Sequence, residues 1–502
     1  MPDRGFFFFE DNSMKQGLIA AAILALYSAG ATAGGADVWI TNVKLVSPER
    51  LERVEQGSIL IRQGRIAAVR RGGSMKPPAG ARRIDGKGYY LTPGLIDSHV
   101  HLHGVPGMNV DQPKTMAALA GAYYRQMPRS YLYFGYTTVI DLALADRKIV
   151  ADFNAAPLHP DLVHCGEPLV FANGYPMSYF APALRFEAFR NFIYDPAQAA
   201  VIPSQYKPHD YTVAAGVARV KADAGICVKT HWERGFGNQR NLPVMSAAMY
   251  GEVRRAASDH KLVLVTHANG YEGQRLAVDG GVDVLAHGMW KWHQPSKAGE
   301  LPSEVRALLD AIAEKRVGYQ ATMQVLHGLR ANFDPAYLNQ PGVRKVAPAS
   351  LLAWFATDQG KWFRDELAEG ESDAVVLAGF DQNLRKFELV VAYLASKDAN
   401  FLLGTDTPSS PTYGNLPGLN GYLEMQRLHE AGLSLTQVFK AATINNARAF
   451  KLDREVGSIE VGKRANLLLM KLSPLANIAA YDSIEQVWVG GTQVMRDAVA
   501  AQ

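Results

Sequence analysis

Short apolar runs recur along the middle of the chain, and most end on a polar or ionisable residue. The runs that predict strands are YLTPGLIDSHVHL, YTTVIDLALA, PLVFANG, GICVKTH, LVLVTHA, VDVLAHG, VGYQATM and NFLLGTD. Each is followed by a stretch with room for a helix, and a repeated β-then-α order predicts a parallel sheet. Eight such units without an obvious edge strand predict an α/β fold, a closed (β/α)8 TIM-like barrel, over residues 91–445.

The connection after the seventh predicted strand is much longer than the others. It covers about residues 325–400 and carries helical patterns such as LLAWFATDQGKWFRDELAEG. Because long connections in compact domains are usually functional, we expect this insertion to form a lid or a pocket wall.

The two ends of the chain have a different pattern, with alternating apolar residues and frequent glycine. The N-terminal runs are VWITNVKLVS and GSILIRQGRIAAVRRG, and the C-terminal runs are ANLLLMKL and QVWVGGTQVMRD. This alternation predicts short antiparallel strands. We therefore expect residues 34–90 and 446–502 to form one small composite β-sandwich domain.

Residues 1–33 have the pattern of a secretory signal peptide. A lysine at position 15 precedes the apolar run Leu18–Tyr27, and Ala-Thr-Ala at positions 31–33 supplies a small-x-small cleavage site. The run is shorter than the roughly 20 residues that cross a bilayer. Residues 1–13 do not suit an export signal, so we expect translation to start at Met14. We expect an exported protein, periplasmic or secreted; the alternative is a buried N-terminal helix.

Composition and charge indicate a globular protein and argue against a nucleic-acid-binding protein. With 48% hydrophobic and 20% charged residues among 502, the chain can bury a large core without disulfides. The net charge is only +4 and the basic residues are scattered, whereas nucleic-acid binding needs a basic stripe. The only two cysteines, Cys165 and Cys227, lack metal-type spacing; we expect buried free thiols, with one disulfide as the alternative.

Metal-ligand residue types stand at the ends of predicted strands. His99 and His101 are two residues apart, so on a strand both imidazoles face the same side. His267, His287 and Asp406 end three later strands. Since the carboxyl ends of barrel strands converge on one mouth, these residues predict a divalent-metal site. Each histidine taken singly is more often structural.

Lys229 ends the fourth predicted strand and faces the same predicted mouth. Burial beside cations lowers the pKa of a lysine, and a neutral amine can react with carbon dioxide to form a carbamate that bridges two metals. A salt bridge and a contact with a substrate carboxylate are the alternatives. His231 lies two residues further on, and we expect it to contact substrate, although it could replace Lys229 as ligand or lie in the loop.

Asp406 is the predicted catalytic residue. A metal brings the pKa of its bound water towards ~7, so that hydroxide is available at neutral pH. Asp406 would accept the proton as general base and deliver it to the leaving nitrogen as general acid. Its alternative role is a helix N-cap, because Thr-Asp-Thr-Pro at 405–408 is also good capping chemistry.

Other polar and aromatic residues near the predicted mouth are less specific. Tyr175 is a weak candidate for substrate binding, and aromatic residues near it could hold an apolar group or pack in the core. Acids beside the strand ends could orient a ligand or form structural ion pairs. The remaining candidates in these classes are Tyr179, Trp290, Trp292, Asp97, Asp141 and His103.

In these features the sequence resembles the amidohydrolase superfamily, and its imidazolonepropionase and Xaa-Pro dipeptidase-like branch. The matching pieces are GLIDSHVH at 94–101, Lys229, His267, His287, Thr-Asp at 405–406 and ATINNARAFKLDREVGSIEVGKRANLLLM at 442–470. The resemblance implies a deformed barrel, a two-ended β-sandwich and usually zinc. The ligands it implies are His99, His101 and Asp406 for one metal, and His267 and His287 for the other, with an N6-carboxylated Lys229 bridging them.

Two departures affect the substrate class. Imidazolonepropionase itself uses one metal and no bridging lysine, whereas this chain has Lys229. THWERGFG follows Lys229, in place of the Gly-Gly-rich turn of prolidase-like members. We expect a small-molecule amide or peptide as partner, hydrolysed with two divalent ions, and we leave homo-oligomer formation open. The alternatives are a mononuclear deaminase or imidazolonepropionase-like hydrolase, and a non-catalytic barrel that binds a ligand.

Overall fold

The computed structural model of the protein describes residues 36–72, 76–144, 146–237, 239–297, 299–409 and 411–502. The predicted signal peptide and the start at Met14 lie outside these ranges. Among the helices within them, none has both the length and the continuous apolar character needed to cross a membrane.

In chain order, the strands of the described residues are β1 (Val38–Leu45), β2 (Glu55–Arg62), β3 (Arg65–Arg71), β4 (Arg82–Asp85), β5 (Tyr90–Pro93), β6 (Leu95–Val100), β7 (Tyr136–Asp141), β8 (Asp161–His164), β9 (Val170–Phe171), β10 (Phe192–Ile193), β11 (Cys227–His231), β12 (Val263–His267), β13 (Val284–Ala286), β14 (Gly318–Gln320), β15 (Phe401–Leu402), β16 (Leu467–Met470), β17 (Ile484–Val489) and β18 (Thr492–Met495). The α-helices are α1 (Gln112–Thr115), α2 (Ala117–Tyr133), α3 (Arg147–Ala155), α4 (Arg185–Ala188), α5 (Val213–Ala222), α6 (Ala247–Asp259), α7 (Tyr271–Asp279), α8 (Ser303–Glu314), α9 (Met323–Arg330), α10 (Pro341–Val346), α11 (Ala349–Phe355), α12 (Trp362–Ala368), α13 (Asp373–Ser396), α14 (Leu419–Glu430), α15 (Leu435–Lys440) and α16 (Asn446–Ala449).

Strands from both ends of the chain share one eight-stranded sheet. Its order is β18-β17-β16-β5-β1-β2-β3, with β4 paired to β1. Strand β5 joins the two ends, because Leu91 pairs in parallel with Leu45 on β1 and antiparallel with Leu469 on β16. These leucines are buried together with Trp488 on β17. The second layer of a sandwich stays a prediction.

The middle of the chain forms two parallel sheets, β6-β7-β8 and β11-β12-β13-β14-β15. Every residue of β6, β7, β11 and β12 is buried, as is usual for parallel strands covered on both faces. Hydrogen bonds connect the sheets at both edges: Ile226 N donates to His164 O at 2.9 Å, and Ser98 N donates to Leu403 O at 3.0 Å. The middle of the chain is thus α/β, and the closed barrel stays a prediction that these contacts favour.

Two of the predicted strands differ in the structure. YLTPGLIDSHVHL divides into β5 and β6 at Gly94, where a Cβ atom would collide with the side chain of Thr137. The strand that pairs with β7 is β8, which the pattern did not predict, whereas the predicted PLVFANG contributes the two-residue β9 paired with β10. Strand β8 has only the four residues DLVH, all of them half-buried. Because two of the four are polar, the sequence has no continuous apolar run that would predict a strand there.

The expectation of free thiols is wrong, because Cys165 and Cys227 form a disulfide with their Cα atoms 4.5 Å apart. Cys165 follows β8 and Cys227 begins β11, and both are fully buried. The cysteines are 62 residues apart in sequence, so only the unpredicted position of β8 next to β11 brings them together.

The long connection between β14 and β15 contains helices α9 to α13. It packs on the loop that follows β6: Trp362 Nε1 donates to Gly107 O at 2.9 Å, and the Phe355 and Trp354 rings lie against Gly107. The insertion therefore contacts the segment that follows His99 and His101.

Candidate active site

The loop after β15 brings Asp406 next to the end of β6. Asp406 has a left-handed backbone with φ 56°, and its N–H donates to His99 O at 2.7 Å. A carbonyl on the neighbouring strand thus fixes the backbone of Asp406. This geometry positions its carboxylate beside His99 on β6 and His101 just after that strand. No side-chain cap by Asp406 is present at a helix in the described residues.

His99, His101 and Asp406 form a compact cluster. Oδ1 of Asp406 lies 2.9 Å from Nε2 of His99 and 2.8 Å from Nε2 of His101. One ligand atom from each residue lies within 4.8 Å of the others. His99 is fully buried, and the side chains of His101 and Asp406 are only slightly exposed. Two nitrogens and a carboxylate oxygen directed at one point suit a divalent metal such as zinc.

Lys229 lies beside this cluster, in the interior of the protein. Its Nζ atom is 3.4 Å from Nε2 of His99, and its side chain is buried. Burial lowers the pKa of Lys229 to about 8, although the charges of Asp406 and Asp141 oppose this shift. His231, two residues further along β11, is also buried, and its ring centroid lies 5.4 Å from that of His267.

The other two histidines extend the cluster through ring contacts. The His287 ring centroid lies 5.0 Å from that of His99 and 4.4 Å from that of His267. The hydroxyl of Thr322 lies 2.9 Å from Nδ1 of His287, which leaves Nε2 of His287 for another partner. Both His287 and Thr322 have positive φ angles, of 81° and 54°, so the backbone is constrained on both sides of this hydrogen bond.

His267 has a partner that the sequence analysis missed. Nδ2 of Asn269 donates to Nε2 of His267 at 3.0 Å, and Nε1 of Trp290 donates to Oδ1 of Asn269 at 3.2 Å. Binding a metal through Nε2 of His267 would require Asn269 to release this bond. Asn269 lies two residues after His267, as Thr322 lies two after the end of β14, so a search of strand-end residues could have found both.

Burial keeps the imidazoles of His99, His267 and His287 neutral. It lowers the pKa of His287 to about 4, and it lowers the pKa of His99 and of His267 well below the ordinary value, with Lys229 adding to the effect. Burial alone would raise the pKa of Asp406, but His101 and His99, whose Nε2 atoms hydrogen-bond to its carboxylate, hold that pKa well below its usual value. Neutral imidazoles and an ionised carboxylate are the forms that bind metals.

Asp97 connects β6 to the loop that carries Asp406. Its carboxylate accepts hydrogen bonds from His99 N at 3.2 Å, Thr405 N at 3.1 Å and Thr405 Oγ1 at 2.6 Å. Asp97 is therefore a positioning residue for the backbone of His99 and for that of Thr405, which directly precedes Asp406. The other predicted acid, Asp141, accepts from Leu102 N at 2.7 Å and Ala143 N at 2.8 Å, which is a structural role in the turn after β7.

Aromatic residues border the histidines on one side. The Tyr175 ring stacks on His267 with centroids 4.6 Å apart and meets the edge of His231 at 5.7 Å. Phe236, which the sequence analysis missed, lies 5.7 Å from Tyr175, centroid to centroid. Trp292, by contrast, is buried beneath Lys386 and packs in the core. His103 contacts only the His101 ring among the predicted ligands, with centroids 5.8 Å apart.

Comparisons with known protein sequences match only part of the chain. The model of the amidohydrolase family matches residues 381–494. Guanine deaminase of Rattus norvegicus is 30% identical over a segment that covers 18% of this chain and 27% of the deaminase. The chain thus spans about a quarter of the length of the curated relative it matches.

Solved structures match the chain over nearly its whole length. A Xaa-Pro dipeptidase with bound methionine in its active site superposes with a TM-score of 0.63 and 18% identity, covering 92% of this chain and 100% of the dipeptidase. Phenylurea hydrolase B superposes with a TM-score of 0.63 and 21% identity, covering 92% of this chain and 98% of the hydrolase. At these identities the likeness shows a shared fold.

Proposed function

We propose that the chain is a member of the amidohydrolase superfamily and a metal-dependent hydrolase of the C–N bond in an amide, a peptide or a cyclic amide. The observation that carries this proposal is the convergence of His99, His101 and Asp406 within 4.8 Å. Two similar proteins are a guanine deaminase and a Xaa-Pro dipeptidase, and both activities break C–N bonds with water.

The residues present fit a divalent metal. Two buried imidazoles share one carboxylate oxygen, and Nδ1 of His99 and of His101 have no hydrogen-bond partner in the described part of the chain. A buried polar atom without a partner is costly. A metal ion bound by these rings would add a partner for their nitrogen atoms. We infer that His99, His101 and Asp406 hold one ion, and that His267 and His287 hold a second.

Lys229 is proposed to bridge the two sets as a carbamate. Its neutral amine attacks carbon dioxide, the new N–C bond forms, and one proton leaves to solvent, which gives an N6-carboxylate. The lowered pKa makes the neutral amine available near neutral pH. A carboxylate at this position also relieves the repulsion between an ammonium group and metal cations.

A bound divalent metal would supply an activated water, because it lowers the pKa of the coordinated water towards ~7. Asp406 would accept a proton from the attacking water and would pass it to the nitrogen of the leaving amine. Its low pKa keeps the carboxylate ionised, which is the form that a general base needs. His231 and Tyr175, which adjoin His267, are proposed to contact the substrate.

A second candidate function is ring deamination or hydrolysis with a single ion and an unmodified Lys229. The similarity to guanine deaminase favours this function. So does the cluster of His99, His101 and Asp406, which brings together three ligands and therefore suits a single ion. Metal content distinguishes the two functions: about two equivalents of tightly held metal favour the dinuclear site, and about one equivalent favours the mononuclear one.

The test compares the wild type with Asp406→Asn after zinc reconstitution. Substrates are N-acyl amino acids, Xaa-Pro dipeptides and cyclic ureides, with metal measured by mass spectrometry. We expect hydrolysis by the wild type and a loss of at least about 100-fold in kcat for the variant, since general acid–base catalysis contributes that much. An inactive wild type that still binds these amides would instead indicate a non-catalytic binding protein.

We also propose that the protein is exported. The segment before residue 34 has the pattern of a signal peptide. The disulfide between Cys165 and Cys227 fits an oxidising compartment, where disulfides persist. Cell fractionation with N-terminal sequencing tests this: we expect a periplasmic or secreted chain that begins near Gly34, and a cytoplasmic chain with an intact N-terminus would contradict the proposal.

A further inference from the structure

Three half-buried aromatic rings line the space beside His267. We call this set, Tyr175, Phe236 and Trp290, the aromatic wall. The Phe236 ring lies 5.9 Å from Trp290 in a stacked arrangement and 6.4 Å from His267, centroid to centroid. The metal-ligand candidates His99, His267 and His287 are more deeply buried than these rings. An apolar surface of this kind next to the reacting centre suits a flat apolar group.

The wall is held in place by polar contacts. The backbone N–H of Phe236 donates to Oη of Tyr179 at 2.9 Å, and Tyr179 Oη donates to Phe236 O at 3.3 Å. Nε1 of Trp290 donates to Asn269, which in turn donates to His267. Phe236 and Trp290 are therefore held in place relative to the histidine cluster.

Lys291 places a cation at the outer edge of the wall. Its Nζ atom lies 5.4 Å from the Phe236 ring centroid and donates to Gly235 O at 3.1 Å. Glu233 Oε1 forms an ion pair with Nζ at 3.6 Å, longer than an ordinary hydrogen bond, and the Glu233 side chain is 5% exposed against 37% for that of Lys291. The charge directed at solvent is thus the ammonium, and an ammonium has three N–H donors, of which Gly235 takes one.

From this arrangement we propose that the substrate is an amide carrying both an aromatic group and a carboxylate, such as an N-acyl aromatic amino acid. The aromatic group packs on Phe236 and Trp290, and the carboxylate pairs with Lys291. This inference rests on the proposed function for the reaction itself, but the recognition surface is independent of catalysis. Phe236 and Lys291 are therefore specificity-determining residues.

The test measures binding of sulfonamides, which the enzyme cannot hydrolyse as amides, to the full chain as purified. Isothermal titration compares N-methanesulfonyl-L-phenylalanine with its alanine counterpart and with the phenylalaninamide derivative that lacks the carboxylate. We expect the phenylalanine compound to bind about fivefold or more tightly than the alanine compound. It should bind about tenfold more tightly than the uncharged amide, because a hydrogen bond to a charged group is strong.

Two variants locate the recognition. Phe236→Leu should reduce the phenylalanine preference, and Lys291→Gln should remove the preference for the carboxylate. The matched control is Lys386→Gln, because Lys386 also lies over an aromatic ring, that of Trp292 at 5.0 Å from the ring centroid, but in the core. Circular dichroism verifies that each variant is folded.

The outcomes separate the two proposals. Equal binding of the three ligands, no binding, or unchanged preferences in both variants overturns the inference about the substrate. If the preferences hold but zinc-loaded enzyme leaves N-acetyl-L-phenylalanine and the other amides intact, the proposed hydrolysis fails while the recognition site stands.

Discussion

Nζ of Lys229 lies 3.4 Å from Nε2 of His99, and both side chains are buried. An ammonium and an imidazole this close favour each other's neutral forms, and Lys229 contributes to the lowered pKa of His99. An added negative charge at this pair would favour the binding of two metal cations beside it. A carbamate on Lys229 would supply that charge without any movement of the backbone.

Lys229→Met should remove the bridging charge while keeping the volume of the side chain. We expect metal content to decrease from about two equivalents to one or fewer. With ¹³C-labelled bicarbonate, the wild type should show a carbamate carbon resonance that the variant lacks. Lys386→Met is the control and should keep both metals and the resonance. A wild type without the resonance would contradict the carbamate.

Thr322 is expected to act through His287, since its hydroxyl lies 2.9 Å from Nδ1 of that ring. Thr322→Val keeps the shape of the side chain but removes the hydroxyl. We expect metal affinity to decrease about 10–100-fold, as is typical when a partner of a ligating histidine is lost. Thr322→Ser retains the hydroxyl and should stay within a few fold of the wild type. Competition with a zinc chelator measures both, and equal affinities for the two variants would exclude the orienting role.

The sequence predicted the parts of the site that lie at strand ends. The positions of His99 and His101 follow from strand periodicity, and His267 and Asp406 follow from the ends of apolar runs. Each of these signals is local in sequence. The structure places their side chains at one edge of the parallel sheets, as the strand-end pattern predicted.

The features that were missed depend on contacts between distant segments. Phe236 lies in an irregular loop whose place beside Tyr175 and His267 no periodicity could indicate. The Cys165–Cys227 disulfide depends on the position of β8, whose half-buried residues lack a strand-like pattern. Asn269 could have been suspected from its spacing, but its bond to His267 requires the three-dimensional arrangement.

The disulfide should stabilise the protein. It closes a sequence separation of 62 residues between the end of β8 and the start of β11. In the chain-entropy model such a loop contributes about 4 kcal/mol, and typical values are 2–4 kcal/mol. The double variant Cys165→Ala/Cys227→Ala should lower the free energy of unfolding, measured in urea, by about 2–4 kcal/mol. A dithiothreitol-treated native sample serves as the comparison, since a bond buried this fully should resist reduction until the protein unfolds. An unchanged urea midpoint in the double variant would show that the bond does not contribute.

Glu424 should give the protein a specific pH dependence of stability. Its side chain is buried on α14, where its carboxylate accepts Met323 N at 3.0 Å and Gln324 N at 2.7 Å at the start of α9. Burial raises its pKa from 4.5 to about 7, although these hydrogen bonds oppose the shift. The folded protein therefore binds this proton more tightly than the unfolded chain does. The resulting stabilisation is fully present below pH 4.5 and is lost as the pH rises through about 7.

Glu424→Gln removes the titrating group and nearly preserves the volume. We expect the difference in unfolding free energy between wild type and variant to change by up to about 3 kcal/mol between pH 4.5 and 7.5, in the direction that disfavours the wild type at high pH. Glu430→Gln, near the exposed end of the same helix, should show no such trend. Urea titrations at half-unit pH intervals measure the difference, in which contributions from the metal-site residues cancel. A difference that stays constant across this interval would mean that Glu424 titrates alike in the folded and the unfolded protein. Burial of its carboxylate against the start of α9 would then have no effect on its ionisation.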